Sequence, residues 1–119
     1  MKTFPTLLCA ILATTSLNAL AAGSASSDAL PGCVSLSESH RGARGPGDAQ
    51  LLLKDGDQHY RVRFDGRCAA LTSAKVYVRT GDQTNRLCPT GSSVQGGNRL
   101  CAVESVETID AADYKRARR

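Results

Sequence analysis

The 119-residue chain has no tryptophan, two phenylalanines and three tyrosines, so it cannot build its interior on rings. Within the stretch that reads as folded, only Tyr60, Phe64 and Tyr77 are aromatic. The core must therefore rest on aliphatic side chains such as Leu51, Leu53, Val62, Val76, Val78 and Val103, helped by crosslinks. Histidine is scarce, at two residues, and no two cysteines form a Cys-x-x-Cys pair, which disfavours a structural zinc site. There is no Gly-x-Ser-x-Gly elbow and no serine–lysine set, so the recognisable hydrolase nucleophiles are missing. Nucleotide and cofactor motifs are missing too, and no cofactor or enzymatic activity is expected. No internal repeat and no long helical period is present.

The first residues give the expected address. Met1-Lys2 is a short basic start, Leu7 to Ala13 is apolar, and Ala19-Leu20-Ala21 has the small-x-small form of a signal-peptidase site. The apolar run is well short of the roughly 20 residues that a spanning helix needs. Residues 1–21 are thus expected to be a removed signal peptide, leaving a mature chain with no membrane span in the periplasm or outside the cell. Leu8 stands where a lipoprotein would need a small residue before Cys9, which argues against lipidation. The remaining 98 of the 119 residues suit one small domain.

The charge is deceptive. After removal of residues 1–21 the net charge is +3, but Lys115, Arg116, Arg118 and Arg119 supply all of the excess, and the body without them is −1. Nucleic acid is therefore disfavoured as a partner, since polyanion binders usually carry a basic domain.

Period-two alternation is the strongest signal in the chain. Leu51 to Cys68 holds two apolar runs around Asp55-Gly56-Asp57; on the second, Tyr60, Val62 and Phe64 point one way and His59, Arg61 and Arg63 the other, as in a β-hairpin with one dry face. The aspartates and His59 read as a turn and a solvent-facing side chain, because an EF-hand loop would need further acids. Cys33 to Ser37 and Ala74 to Arg79 alternate in the same way. Leu100 to Ile109 is a last strand whose parity slips, which predicts a bulge near Glu104-Ser105. Ala69-Ala70-Leu71 fits one helical turn, and Ser92 to Gln95 fits a short edge strand. Segment 22–32 reads as a flexible leader, His40 to Asp48 as a mobile loop and 111–119 as a basic tail with a frayed helical turn after Asp110 and no further structure. The sum, over 33–110, is an all-β domain: a small antiparallel β-roll or partly open barrel of five or six short strands.

Cys33, Cys68, Cys88 and Cys101 read as two disulfides that brace this sheet. Three pairings are possible; Cys33 with Cys101 and Cys68 with Cys88 is favoured, because the first would tie the two ends of the domain together.

Tyr60-Arg61-Val62-Arg63-Phe64, Asp65-Gly66-Arg67-Cys68-Ala69-Ala70-Leu71, Leu87-Cys88 and Leu100-Cys101-Ala102-Val103 follow one another in an order that resembles a family of small exported proteins of Gram-negative bacteria, known only as a domain of unknown function. The resemblance spans about Cys33 to Ile109. It implies the fold and the compartment and brings no activity with it. Pro89-Thr90-Gly91 after Cys88, and the loop His40 to Asp48, depart from the pattern.

Arg61 and Arg63 on one strand and Lys75, Tyr77 and Arg79 on another are the candidate binding face, provided the two strands pair. Such a face could hold a polyanion; charged residues are also what a solvated strand carries to prevent edge pairing. The expectation is a monomeric binding or interaction module whose partner is an unknown protein or envelope component, with an envelope-associated polyanion binder as the alternative.

Overall fold

The central hairpin forms as its alternation requires. In the computed structural model, which describes residues 27–118, Gln50 to Asp55 pairs with Gln58 to Phe64 from Gln50↔Arg63 to Asp55↔Gln58. The loop is Gly56-Asp57, and Gly56 takes the positive φ of 59° that a two-residue hairpin loop demands. Tyr60, Val62 and Phe64 are buried together with Leu51 and Leu53. The expected signal peptide, 1–21, lies outside the described residues, as do 22–26 of the leader and Arg119.

Ten strands and one α-helix are assigned among the described residues: β1 (Asp28–Ala29), β2 (Val34–Ser35), β3 (Arg41–Arg44), β4 (Gln50–Asp55), β5 (Gln58–Phe64), β6 (Val76–Thr80), β7 (Gln83–Thr84), β8 (Arg86–Leu87), β9 (Ser92–Gly96), β10 (Arg99–Ile109) and α1 (Ala111–Ala117). The main antiparallel sheet runs β3-β4-β5-β10-β9-β6-β7, with β1 added to β10 and a separate β2-β8 pair. This is the all-β class expected, a curled half-barrel braced by two disulfides, with more strands than the five or six foreseen. Leu36, Val78, Leu87, Val94 and Val106 join the hairpin side chains in one aliphatic core on the concave side.

β10 holds the sheet together. Its first residues pair with β9, from Arg99↔Gly96 to Ala102↔Ser93. Its later residues pair with β5 down to Ile109↔His59, with a register shift between Val103 and Ser105. The shift falls at the parity slip read from the sequence, and it returns Val106 to the core side, where it is 4% exposed.

Several expectations are corrected. The leader is anchored at its end: Asp28 and Ala29 pair with Thr108 and Glu107, and Leu30, which is buried, donates its N–H to the Val106 carbonyl at 3.0 Å. His40 to Asp48 is a strand and a 3-10 turn rather than a mobile loop, because Arg41 to Arg44 pair with Lys54 to Leu51. β9 is interior to the sheet, with β10 on one side and β6 on the other; its small residues leave room for the turn Ala69–Thr72 that packs across it. The cysteines pair as Cys33–Cys88 and Cys68–Cys101. Continuing the β2-β8 register of Val34↔Leu87 places Cys33 directly opposite Cys88, and the ends of the domain are joined by β1 on β10, so no bridge is needed there.

The turn expected after Asp110 is present and extends into a docked helix, α1, where a frayed end was expected. The Asp110 carboxylate accepts the Asp113 N–H at 2.7 Å as an N-cap, and Tyr114 folds back to pack with Leu52 and Ile109. His59, expected in solvent, is 8% exposed, with its ring centroid 5.1 Å from that of Tyr114. The back of the β4-β5 hairpin is thereby covered as well as the front. Replacing Tyr114 with alanine is expected to cost about 2 kcal/mol, less than the ~3–5 of a central aromatic because a terminal helix can undock. Chemical denaturation measures it, and α1 amides should lose exchange protection first.

Candidate functional site

The candidate binding face is not assembled as anticipated. β10 and β9 stand between β5, which carries Arg61 and Arg63, and β6, which carries Tyr77 and Arg79. Both β5 arginines are engaged by one carboxylate: Arg63 Nε donates to Glu107 Oε1 at 2.6 Å, and Arg61 Nη1 lies 3.5 Å from the same atom. Lys75 precedes β6 and is exposed. Arg79 donates to the Gln95 side chain at 3.2 Å and to the Gly81 carbonyl at 3.1 Å.

A different row of side chains takes shape on the convex side of β6, β9 and β10. Tyr77 is opposite Gln95, and Gln95 is opposite Leu100. Among the described residues Tyr77 and Leu100 are the large hydrophobic side chains most open to solvent, at 46% and 64%. The sequence carried a sign of this, since Cys101 and Val103 take the inward parity and leave Leu100 facing out.

The larger recess is the seam of the half-barrel. β3 and β6 face each other without meeting, and the gap is a cleft of about 560 Å³, within the range of ligand sites. Leu51, Leu53, Leu71 and Val78 form its floor, and Glu38, His40, Arg44, Lys75, Tyr77 and Asn85 its rim. One end is closed by the segment after β2, which crosses from β8 to β3: the Leu36 N–H donates to the Asn85 carbonyl at 2.7 Å, and His40 Nδ1 lies 2.6 Å from the Ser37 carbonyl. Asn85 turns the chain there with φ of 62°, a left-handed conformation that asparagine tolerates better than most residues. The sequence hid this site because β3 read as a loop. The available hint was Gly45-Pro46-Gly47-Asp48, a turn with an extended segment on each side.

Two carboxylates stiffen the fold, Asp55 beside the closed end of the cleft and Glu107 on β10 away from it. The Ser37 hydroxyl and N–H donate to Asp55 at 2.5 and 2.9 Å and hold its pKa below the usual carboxylate range. Burial alone would raise Glu107, but hydrogen bonds from Arg63 and Ser27 and the charges of Arg63 and Arg61 outweigh it and bring its pKa down. For both groups the unfolded chain binds more protons, so their stabilisation is complete above the unfolded pKa near 4 and is lost as pH falls through the lower folded value. Glu107→Gln should lower stability at pH 7 by about 1 kcal/mol, given the exposed Arg63 partner, and should flatten the acid limb of a stability–pH curve. An unchanged acid limb would show that Glu107 does not set it.

Among the described residues no group of three or more histidine, cysteine, aspartate or glutamate side chains is placed to hold a metal ion. No described helix is long and apolar enough to cross a membrane. Comparison with protein-family models, with curated proteins and with solved structures finds no match, so any function must be argued from the cleft and the faces around it.

Proposed function

We propose that this is an exported, monomeric binding module of the periplasm or cell exterior, of the four-cysteine kind it resembles, and that the cleft between β3 and β6 holds its partner. The failure of the sheet to close carries the reading: an all-antiparallel curled sheet ends in two facing strand edges over an aliphatic floor. The signal-peptide pattern and the pair of disulfides support the compartment. The reading assigns no reaction and no cofactor.

The oxidised protein, immobilised and exposed to envelope extract, is expected to capture a partner that the Ala74→Trp variant, with an indole at the cleft rim, does not. Equal capture by both would move the partner to another face. The polyanion alternative is weaker, because Arg61 and Arg63 are tied to Glu107. It requires heparin retention at about 150 mM salt, where screened contacts fade; the expectation is elution below that.

A further inference from the structure

We propose that the partner is an acidic peptide in extended conformation, which adds as a strand to the exposed edge of β3 inside the cleft. This rests on the binding reading above and names the chemistry of the ligand.

Main-chain geometry shows which groups are available. The Gly45 N–H donates to the Gln50 carbonyl at 2.8 Å, so with a period of two Arg41 and Ala43 turn their peptide groups toward β4 and Gly42 and Arg44 turn theirs outward. Across the gap the Val78 carbonyl accepts from Asn85 N–H at 2.8 Å, which directs the Val76 peptide groups to the same side as Val78. β7 pairs with β6 only at Arg79 and Thr80, so Val76 lies beyond its cover. Among the described residues no strand pairs with the outer edge of β3. Unpaired edge groups of this kind are what an added strand recognises, its backbone bonds giving affinity and its alternate side chains specificity.

Strand direction decides which edge leads. Alternating along β3-β4-β5-β10-β9-β6, the chain leaves β3 and β6 antiparallel to one another, so a single inserted strand is antiparallel to only one of them. β3 is open along its whole length and β6 only near Val76, which favours antiparallel addition to β3. Alternate residues of the added strand would then face Leu51 and Leu53 beneath Gly42, whose missing side chain leaves those leucines as neighbours of the edge.

Charge selects the occupant. Arg44, with Asp48 at 3.7 Å, and Lys75 across the cleft stand at its rim with Glu38 as the one acid among the described residues there. Arg41 and Lys54, opposite each other on β3 and β4, add positive charge on the outer face of the same edge, where alternate residues of an added strand would also project. A second copy of this chain joined β3 to β3 would bring Arg41 and Arg44 of each copy against the other's, a like-charge juxtaposition that opposes pairing. An acidic strand meets the opposite condition.

Peptide titrations followed by amide NMR of the oxidised, full mature chain test this. The probes are a short capped peptide alternating glutamate with valine, its lysine–valine counterpart, and the acidic peptide N-methylated on alternate backbone nitrogens. The acidic peptide should bind at least tenfold tighter than the basic one and weaken with salt, with the largest shifts at Gly42, Arg44 and Val76. N-methylation of the face toward β3 should abolish binding, and the double substitution R41E and R44E, both exposed, should reverse the charge preference without unfolding the sheet. Equal binding of both charges, indifference to N-methylation, shifts centred on Gln95 and Leu100, self-association through β3, or heparin competing where no peptide binds would each overturn strand addition. If both peptides fail while capture still distinguishes wild type from Ala74→Trp, strand addition falls and the cleft reading survives.

Discussion

Reduction of the two disulfides should leave the domain unfolded or close to it, with the thermal transition lost or shifted down by tens of degrees. The Cys33–Cys88 and Cys68–Cys101 loops span 55 and 33 residues. On the chain-entropy account each contributes roughly 4 kcal/mol. Together they match a large share of the ~5–15 kcal/mol typical of a domain, and a core with so few rings has little else to offer. The two bridges should differ in kind. Cys33–Cys88 links the two-residue strands β2 and β8, so a C33S/C88S variant should open locally at the closed end of the cleft and show fast amide exchange around Leu36 and Asn85. Cys68, 1% exposed, ties the turn after β5 to β10 inside the main sheet, so C68S/C101S should lower global stability. A melting midpoint indifferent to reductant would refute the account.

Gly96→Ala should be the most damaging single conservative change, at about 3 kcal/mol or more, equivalent to roughly 15 °C in a domain of this size. An added Cβ at position 96 would sit 2.1 Å from the Ala70 carbonyl oxygen and 2.9 Å from its carbon. Both atoms are backbone, so relief requires β9 and the turn Ala69–Thr72 to separate. Gly32 has nothing within 4 Å of the same construction, and Gly32→Ala serves as the neutral control. Urea unfolding of the two variants decides it; a loss below about 1 kcal/mol at Gly96 would mean that the turn yields cheaply.

Legibility in the sequence follows the length of each signal. The hairpin and the β10 bulge were visible because several consecutive residues obey or break a period of two, and a parity break has one cheap structural solution. Segments held by a single buried side chain were invisible: Leu30 anchors the leader and Tyr114 the tail, and neither stands out in its polar surroundings. The bridge pattern depends on the register of strands two residues long, too short to show alternation. Tyr77 was legible as an outward ring, whereas its neighbours Gln95 and Leu100 required the strand order. An open seam was implicit in the expected partly open barrel, but its lining could not be read, since it arises from the curvature of the whole sheet and from β3, whose arginines and glycine resemble a loop.

The position of β10 constrains when the protein can mature. It is the last strand among the described residues and stands between β5 and β9, so each flanking half of the sheet presents an unfinished edge until the residues near Ile109 have been made. A chain still on the ribosome is therefore expected to lack the closed sheet, and the domain should acquire its shape in one late, cooperative step once β10 is free.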